Sequence, residues 1–446
     1  RDRMRGVNKK ILEQKSNAEL EEYIRPGSRY VAQAIKYAFE ILQSRGREFS
    51  EEEKQEITKQ LQEREQSEQK ELYWDKSVLG DPNVPVLYSQ SALWAFSICF
   101  GVLPGAILLA INFNELKNSN ETIRLCFNEN PFGTSPKALE AMQKSLSLSS
   151  RYDFKLADVL CEKIAGNNNV KKENILVSAG SSFLLELITK YVSLDKGHII
   201  IPDPSFTIFE PIAEFLGMSK SVIELNDKKK IDLEKMKSSI QKDTKLIYIC
   251  NPNNPTGDLL SRAEIENFIK SIPDNIIILV DEAYIEFTTQ KSLSDLVDIY
   301  KNLIVTRTFS KLYGFAGARL GYAIGHPKMI ENLKKLQSWS GAEISVVTMA
   351  GAIAAMDDQE FITKVLDNNK KVKDFTISEF NIRGIKTIPS SANFVYFSLE
   401  NYKGDYFKKL KEAKILGGKT FDEKGKWTRI SLGTIEEMRK YFDVIS

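Results

Sequence analysis

Histidine is nearly absent from this chain: the 446 residues hold only His198 and His326. His198 opens an apolar run and His326 precedes a proline, so both read as structural. That argues against a histidine-based triad and against a histidine-ligated metal. Cysteine is scarce as well. Cys99, Cys126, Cys161 and Cys250 are scattered in apolar context with no C-x-x-C spacing, which suggests neither a zinc site nor a disulfide framework. A charge of one sign is also missing, since 62 Lys and Arg against 60 Asp and Glu leave a formal +2. Nothing in that balance points to nucleic acid or to an acidic partner. What remains is 42% hydrophobic and 27% charged residues, the composition of a globular chain long enough for roughly two or three domains.

Residues 1–91 form a charged module of helical pattern. Ser28 precedes Tyr30, Val31, Ala34, Ile35, Ala38, Ile41 and Leu42, which recur at helical spacing. Arg45-Gly46-Arg47 reads as a turn, and Ser50 with Glu53 as a capping box before a second helix carrying Ile57 and Leu61. The module carries no recognisable chemistry and reads as a solvated spacer or an interaction arm. An uncharged stretch, 92–113, follows it. Its length approaches the roughly 20 residues of a membrane-spanning helix, and Tyr88 and Trp94 lie near one end, where interfacial aromatics belong. Pro104-Gly105 would kink it into a re-entrant hairpin. The segment is thus a candidate membrane association of an otherwise cytoplasmic catalytic domain, the alternative being a buried helix packed on the domain that follows.

From Ile123 onward, apolar strand-like runs alternate with helical patterns. The runs are Asn174–Ser178, His198–Ile201, Lys245–Cys250, Ile276–Val280 and Leu303–Thr306, and the helical patterns include Phe183–Val192, Phe209–Leu216 and Arg262–Ile272. This predicts an α/β domain with a mainly parallel sheet. In such a sheet ligands sit outside the carboxyl ends of the strands, and the polar motifs fall there. Ser178-Ala179-Gly180-Ser181-Ser182 turns into a helix N-terminus, an anion site. Pro202-Asp203-Pro204-Ser205-Phe206 brings an aromatic ring to the sheet edge. Asn251–Gly257 is stiffened by two prolines and a glycine and aims an asparagine amide. Asp281-Glu282-Ala283-Tyr284 places a carboxylate where burial demands a partner.

The stretch Thr306–Tyr322 gathers these features around Lys311. That lysine follows a strand, with Thr308 and Ser310 before it and Arg319 after it. One amine, two hydroxyls and a guanidinium suit a phosphorylated aldehyde, and pyridoxal phosphate (PLP) is such a ligand. A protonated pyridine nitrogen would partner Asp281. Asn254 and Tyr284 would share the ring oxygen.

With these motifs in view, the chain resembles the fold-type I PLP-dependent aminotransferases of class I/II, and most of all the histidinol-phosphate aminotransferase branch. Phe127–Gly133 is similar to that branch's opening motif and Arg429–Thr434 to its closing one. The likeness runs from about residue 120 to the end. It implies a PLP-binding large domain at 145–339 built on a seven-stranded-type sheet, and a smaller α+β domain from 114–144 plus 340–446. Lys311, Asp281 and Tyr284 would be catalytic, with Lys311 binding the aldehyde and shuttling the substrate proton. Ser181, Ser182, Thr308, Ser310 and Arg319 would hold the cofactor phosphate, Phe206 would stack on the ring, and Asn254 would bind its oxygen. Tyr152 would reach the cofactor of a neighbouring subunit in a homodimer. Arg429 would clamp the substrate carboxylate, with Asn130 and Asn393 lining the pocket. Substrates would be an amino acid or a phosphorylated amine such as histidinol phosphate, with a 2-oxo acid as acceptor. The branch carries a basic residue near Ile415–Lys419 for the substrate phosphate, whereas Gly417-Gly418 stands here with only Lys419 beside it, which leaves the amine open. A lyase resembling threonine-phosphate decarboxylase and a membrane-tethered, non-catalytic PLP-binding module are the competing expectations.

Overall fold

The structure, a computed structural model, describes residues 12–13, 15–25, 32–51, 53–61, 122–337, 343–422 and 425–446. Two compact units divide the chain at Asn118/Ser119. In the first, Ser16 and Glu19 close a capping box on the helix Asn17–Ile24. The helix Ala32–Ser44 follows, and Gly46 turns the chain with φ +87°. Ser50 and Glu53 exchange the expected capping bonds at 2.7 and 3.1 Å. Leu20, Ile24, Ile35, Ala38, Ile41, Leu42, Phe49 and Ile57 form its core, as their helical spacing requires. The apolar run 92–113 lies outside the described residues. Among those described, no helix is long and apolar enough to cross a membrane.

Among its described residues the second unit contains twelve strands: β1 Ile123–Arg124, β2 Ile175–Ser178, β3 His198–Asp203, β4 Ser219–Glu224, β5 Thr244–Cys250, β6 Ile277–Asp281, β7 Leu303–Thr308, β8 Gly321–Gly325, β9 Thr387–Ile388, β10 Phe394–Ser398, β11 Ile415–Leu416 and β12 Trp427–Ser431. Seven of them form one sheet in the order β2-β8-β7-β6-β5-β3-β4. The steps from β7 to β4 are parallel, and β8 runs against both its neighbours. The sheet is therefore mainly parallel, as predicted, with two strands that the apolar runs did not announce, β4 and β8.

Both faces of the sheet strands β3, β5, β6 and β7 are buried, so these read as continuous apolar runs. Alternate residues serve opposite cores. Ile278, Val280, Ile247, Ile249, Leu303 and Val305 join one, and Ile277, Leu279, Leu246, Tyr248 and Ile304 the other, together with Leu184, Leu185 and Ile188 of the helix Ser181–Val192. A three-stranded antiparallel sheet, β12-β10-β9, packs Val395, Phe397 and Ile430 against Phe380 and the C-terminal helix residues Met438, Tyr441 and Phe442. β1 pairs in parallel with β11, which ties the start of this unit to its C-terminal part.

Candidate active site

The period-2 alternation that builds the second core also decides which groups meet at the carboxyl ends of β5, β6 and β7. Asp281 continues the parity of Ile277 and Leu279, Thr306 that of Ile304, and Tyr248 belongs to the same core. Asp281 pairs with Thr306 across the β6–β7 register. Thr306 Oγ1 donates to Asp281 Oδ1 at 3.0 Å, and the Tyr248 hydroxyl lies 3.4 Å from Oδ2. The carboxyl is 1% exposed. Burial pushes its pKa up to about 6, against the downward pull of the two hydroxyls and of the Lys311 charge. Among the described residues its hydrogen-bond partners are the two hydroxyls and the Ala283 backbone, all neutral, so the carboxylate lacks a cationic N–H partner, and a protonated ring nitrogen is one.

Lys311 leaves the end of β7 in a bend held by Thr308, whose Oγ1 accepts from the Ser310 amide at 3.1 Å and donates to Ser310 Oγ at 3.0 Å. Its Nζ donates to the Phe127 carbonyl at 3.0 Å and stands 5.6 Å from the centre of the Tyr284 ring. Burial, then the Arg429 charge, lowers the amine to about 8. Tyr284 is 3% exposed. Its hydroxyl accepts an N–H from Asn128 Nδ2 at 3.0 Å and another from Asn254 Nδ2 at 3.3 Å. Asn254 Oδ1 in turn accepts from Arg429 Nη1. Arg429 Nη2 donates to the Cys126 carbonyl at 2.6 Å, and its guanidinium lies between the Phe394 and Phe421 rings, 5.3 and 5.2 Å from their centres.

The anion end is built from backbone. Gly180 caps the helix Ser181–Val192 without a side-chain cap, so no cap side chain takes up the first-turn N–H groups. Gly180 has φ +102°, and a Cβ there would meet Arg319 Nη2 at 2.4 Å. A Cβ on Gly321 would meet the Ser181 amide nitrogen at 2.3 Å. Glycine at both positions lets the guanidinium and β8 lie directly against the helix start, a concave, basic setting that suits a phosphate. Phe206 packs at the edge of the second core. The donor set therefore fits PLP at each of its ends: amine, ring nitrogen, ring oxygen and phosphate.

Two further predicted residues, Asn130 and Asn393, line a small cavity with Phe132, Phe287, Asn369 and Leu432. Asn130 is engaged internally, donating to Leu312 O at 2.8 Å and accepting from the Phe132 amide at 2.9 Å. Asn393 donates to Asn128 O at 3.0 Å. Tyr152 stands apart from this constellation, 69% exposed, with its ring 6.2 Å from Phe154. The sequence reading missed Asn128, Tyr248, Thr306 and Ser431. Tyr248 and Thr306 were within reach of strand parity once Asp281 was chosen. At Gly418 a Cβ would meet the Arg429 carbonyl oxygen at 2.4 Å, so no side chain fits there on this backbone.

Comparison with known proteins bears on the fold and the family. The family model described as aminotransferase class I and II matches residues 120–445. A histidinol-phosphate aminotransferase of Caldicellulosiruptor saccharolyticus is 37% identical over 293 residues, 65% of this chain and 81% of the relative. The crystal structure of the histidinol-phosphate aminotransferase from Clostridium acetobutylicum superposes with a TM-score of 0.67 at 25% identity, covering 72% of this chain and 98% of that one. That from Sinorhizobium meliloti, solved in complex with pyridoxal-5'-phosphate, shares the fold with a TM-score of 0.66 at 24% identity over 73% of this chain and 90% of its own.

Proposed function

This chain belongs to the class I and II aminotransferase family, and we propose that Lys311, Asp281, Tyr284, Asn254 and Arg429 carry out its PLP-dependent amino-group transfer between an amine substrate and a 2-oxo acid. The observation that carries the assignment is one connected chain of contacts. It runs from Arg429 through Asn254 to the Tyr284 hydroxyl, with Lys311 Nζ beside the Tyr284 ring.

Bound PLP supplies an aldehyde that takes up the amino group and a ring that draws off the electrons freed when the substrate α-proton leaves. Lys311 would be the amine that holds the aldehyde and the base that moves that proton. Its lowered pKa keeps a useful share of the amine neutral near pH 7. Asp281 would keep the ring nitrogen protonated. Tyr284 and Asn254 would hold the ring oxygen, and Phe206 would be the residue to cover the ring. The Ser181–Ser182 amides, Thr308, Ser310 and Arg319 would hold the phosphate. Arg429, fixed by Asn254 and Cys126, offers its fork to the substrate carboxylate, a geometry a lysine cannot copy. Asn130 and Asn393 border the substrate side through their cavity.

For the amine, the likeness to histidinol-phosphate aminotransferases supports a phosphorylated amine, while bare Gly418 favours another amino acid. A homodimer would complete the site through Tyr152. Its support is the apolar exposure around it, with Leu146 at 59%, Leu148 at 48% and Phe154 at 53%. Sedimentation of the purified chain tests that assembly. We divide the catalytic unit into a large domain at 145–339 and a small one from 114–144 plus 340–446, since the seven-stranded sheet falls in the first range and β9–β12 in the second. Membrane association through 92–113 rests on that segment's length and aromatic flanks, and fractionation of expressing cells tests it.

The decisive experiment is spectroscopic. PLP added to the purified chain should give a visible band, and a screen of amino acids and phosphorylated amines should find one that bleaches it. Lys311→Ala should abolish both. A Lys311→Ala protein that still bleaches normally would sink the proposal.

A further inference from the structure

In the sequence Asn128 has no role beyond its place in Phe127–Gly133, yet its side chain bridges Ser431 and the Tyr284 hydroxyl. It is 1% exposed and sits at φ +53°, a left-handed conformation that asparagine tolerates better than most residues. Its backbone N–H donates to Ser431 Oγ at 2.8 Å, and the Ser431 hydroxyl donates back to Asn128 Oδ1 at 2.8 Å. Asn393 Nδ2 donates to its carbonyl at 3.0 Å. With Oδ1 taken by Ser431, Nδ2 faces the Tyr284 hydroxyl.

The opposite setting of the amide would direct two N–H donors at Ser431 Oγ and leave the Ser431 hydroxyl hydrogen without an acceptor. Ser431 is 3% exposed, so that orphan hydrogen would be costly. On the other side, Asn254 is fixed in the same sense, because a guanidinium only donates and Arg429 takes its Oδ1. The Tyr284 oxygen thus accepts twice, and its own hydrogen has no protein acceptor among the described residues. The ring itself is held edge-on to Phe394, centroids 5.1 Å apart at 86°, so the hydroxyl cannot swing away.

We propose that Asn128, locked by Ser431, is a positioning residue that reserves the Tyr284 hydroxyl hydrogen for the cofactor's ring oxygen. The inference rests on the PLP reading above and adds to it what sets the polarity of the Tyr284 hydrogen bond. An aspartate at 128 would reverse that polarity. Its carboxylate would accept the Tyr284 hydrogen, and the ring oxygen would lose a donor.

The test is the pH midpoint of the visible band in the PLP-loaded enzyme, together with the PLP dissociation constant by fluorescence titration. A lost donor makes the ring oxygen more basic, so Asn128→Asp should raise the midpoint by about one pH unit, a tenfold change in proton affinity, and weaken PLP binding several-fold. Ser431→Ala, which frees the amide without adding charge, should shift the midpoint in the same direction by less. In a Tyr284→Phe background Asn128→Asp should cause a clearly smaller shift, that of its added charge alone. Should Asn128→Asp move the midpoint equally with and without the Tyr284 hydroxyl, or should neither Asn128→Asp nor Ser431→Ala move it at all, the inference is overturned while PLP binding stands. A wild-type chain that takes up PLP without any visible band overturns both.

Discussion

The depressed Lys311 amine gives the sharpest test of the site. Burial removes water that would solvate the ammonium, and Arg429 adds a like charge, so the charged form is disfavoured and the pKa falls from 10.5 to about 8. At pH 7 an amine of pKa about 8 is neutral in roughly one molecule in ten, against roughly one in three thousand for an ordinary lysine, a gain of about 300-fold in nucleophile. In the cofactor-free protein, the rate at which PLP is captured should therefore rise about tenfold per pH unit only up to about pH 8 and then level off. Stopped-flow absorbance, corrected with a free amine for the titration of PLP itself, measures this directly. Arg429→Ala removes the like charge and should carry the plateau to higher pH. A wild-type rate that keeps climbing through pH 10 would show that the amine is not desolvated, and the electrostatic reasoning would fail with it.

Other consequences are as concrete. Arg429→Lys keeps the charge but loses the fork and the contacts to Asn254 and Cys126, so kcat/KM for an amino-acid half-reaction should drop about 100-fold. A drop under threefold would remove Arg429 from carboxylate binding. Asp281→Asn preserves shape next to Thr306 and Tyr248 and removes only the buried charge. The PLP dissociation constant should rise about 30-fold or more by equilibrium dialysis, and an unchanged constant would disconnect Asp281 from the ring nitrogen. Gly321→Ala forces a Cβ against the Ser181 amide, 2.3 Å away on this backbone. Thermal unfolding should register a loss of about 2 kcal/mol along with weaker PLP binding, and an unaltered transition would mean that the turn has room to yield.

How much of this was legible before folding depends on what each strand faces. β3, β5, β6 and β7 are covered on both sides and announce themselves as apolar runs. β4 lies at the sheet edge with Ser219, Lys220 and Glu224 exposed, so it reads as polar loop. β8 is bracketed by Gly321 and Gly325 and follows a glycine-rich stretch, so it reads as turn although all five of its residues are buried. Asp281, Asn254 and Lys311 could be found because each stands at the end of such a run. Asn128 could not, since its partners Ser431, Tyr284 and Asn393 are 303, 156 and 265 residues away in sequence. No local spacing encodes a contact of that kind, only the closing of the fold. The role suggested for Tyr152 came from family likeness alone.

The reversed direction of β8 has a mechanical consequence. β7 climbs to the rim, the loop carries Lys311 and then Arg319, and β8 descends beside it, with the Phe309 amide bonded to the Leu320 carbonyl at 3.0 Å to cinch the neck. Lys311 and Arg319, the residues proposed to grasp the aldehyde and the phosphate, are thus two points on one short strap, stitched at both ends to adjacent rails of the same sheet. Lengthening or shortening that strap by even one residue would change the span between the grips, so its length should be as intolerant of insertion as either grip is of replacement.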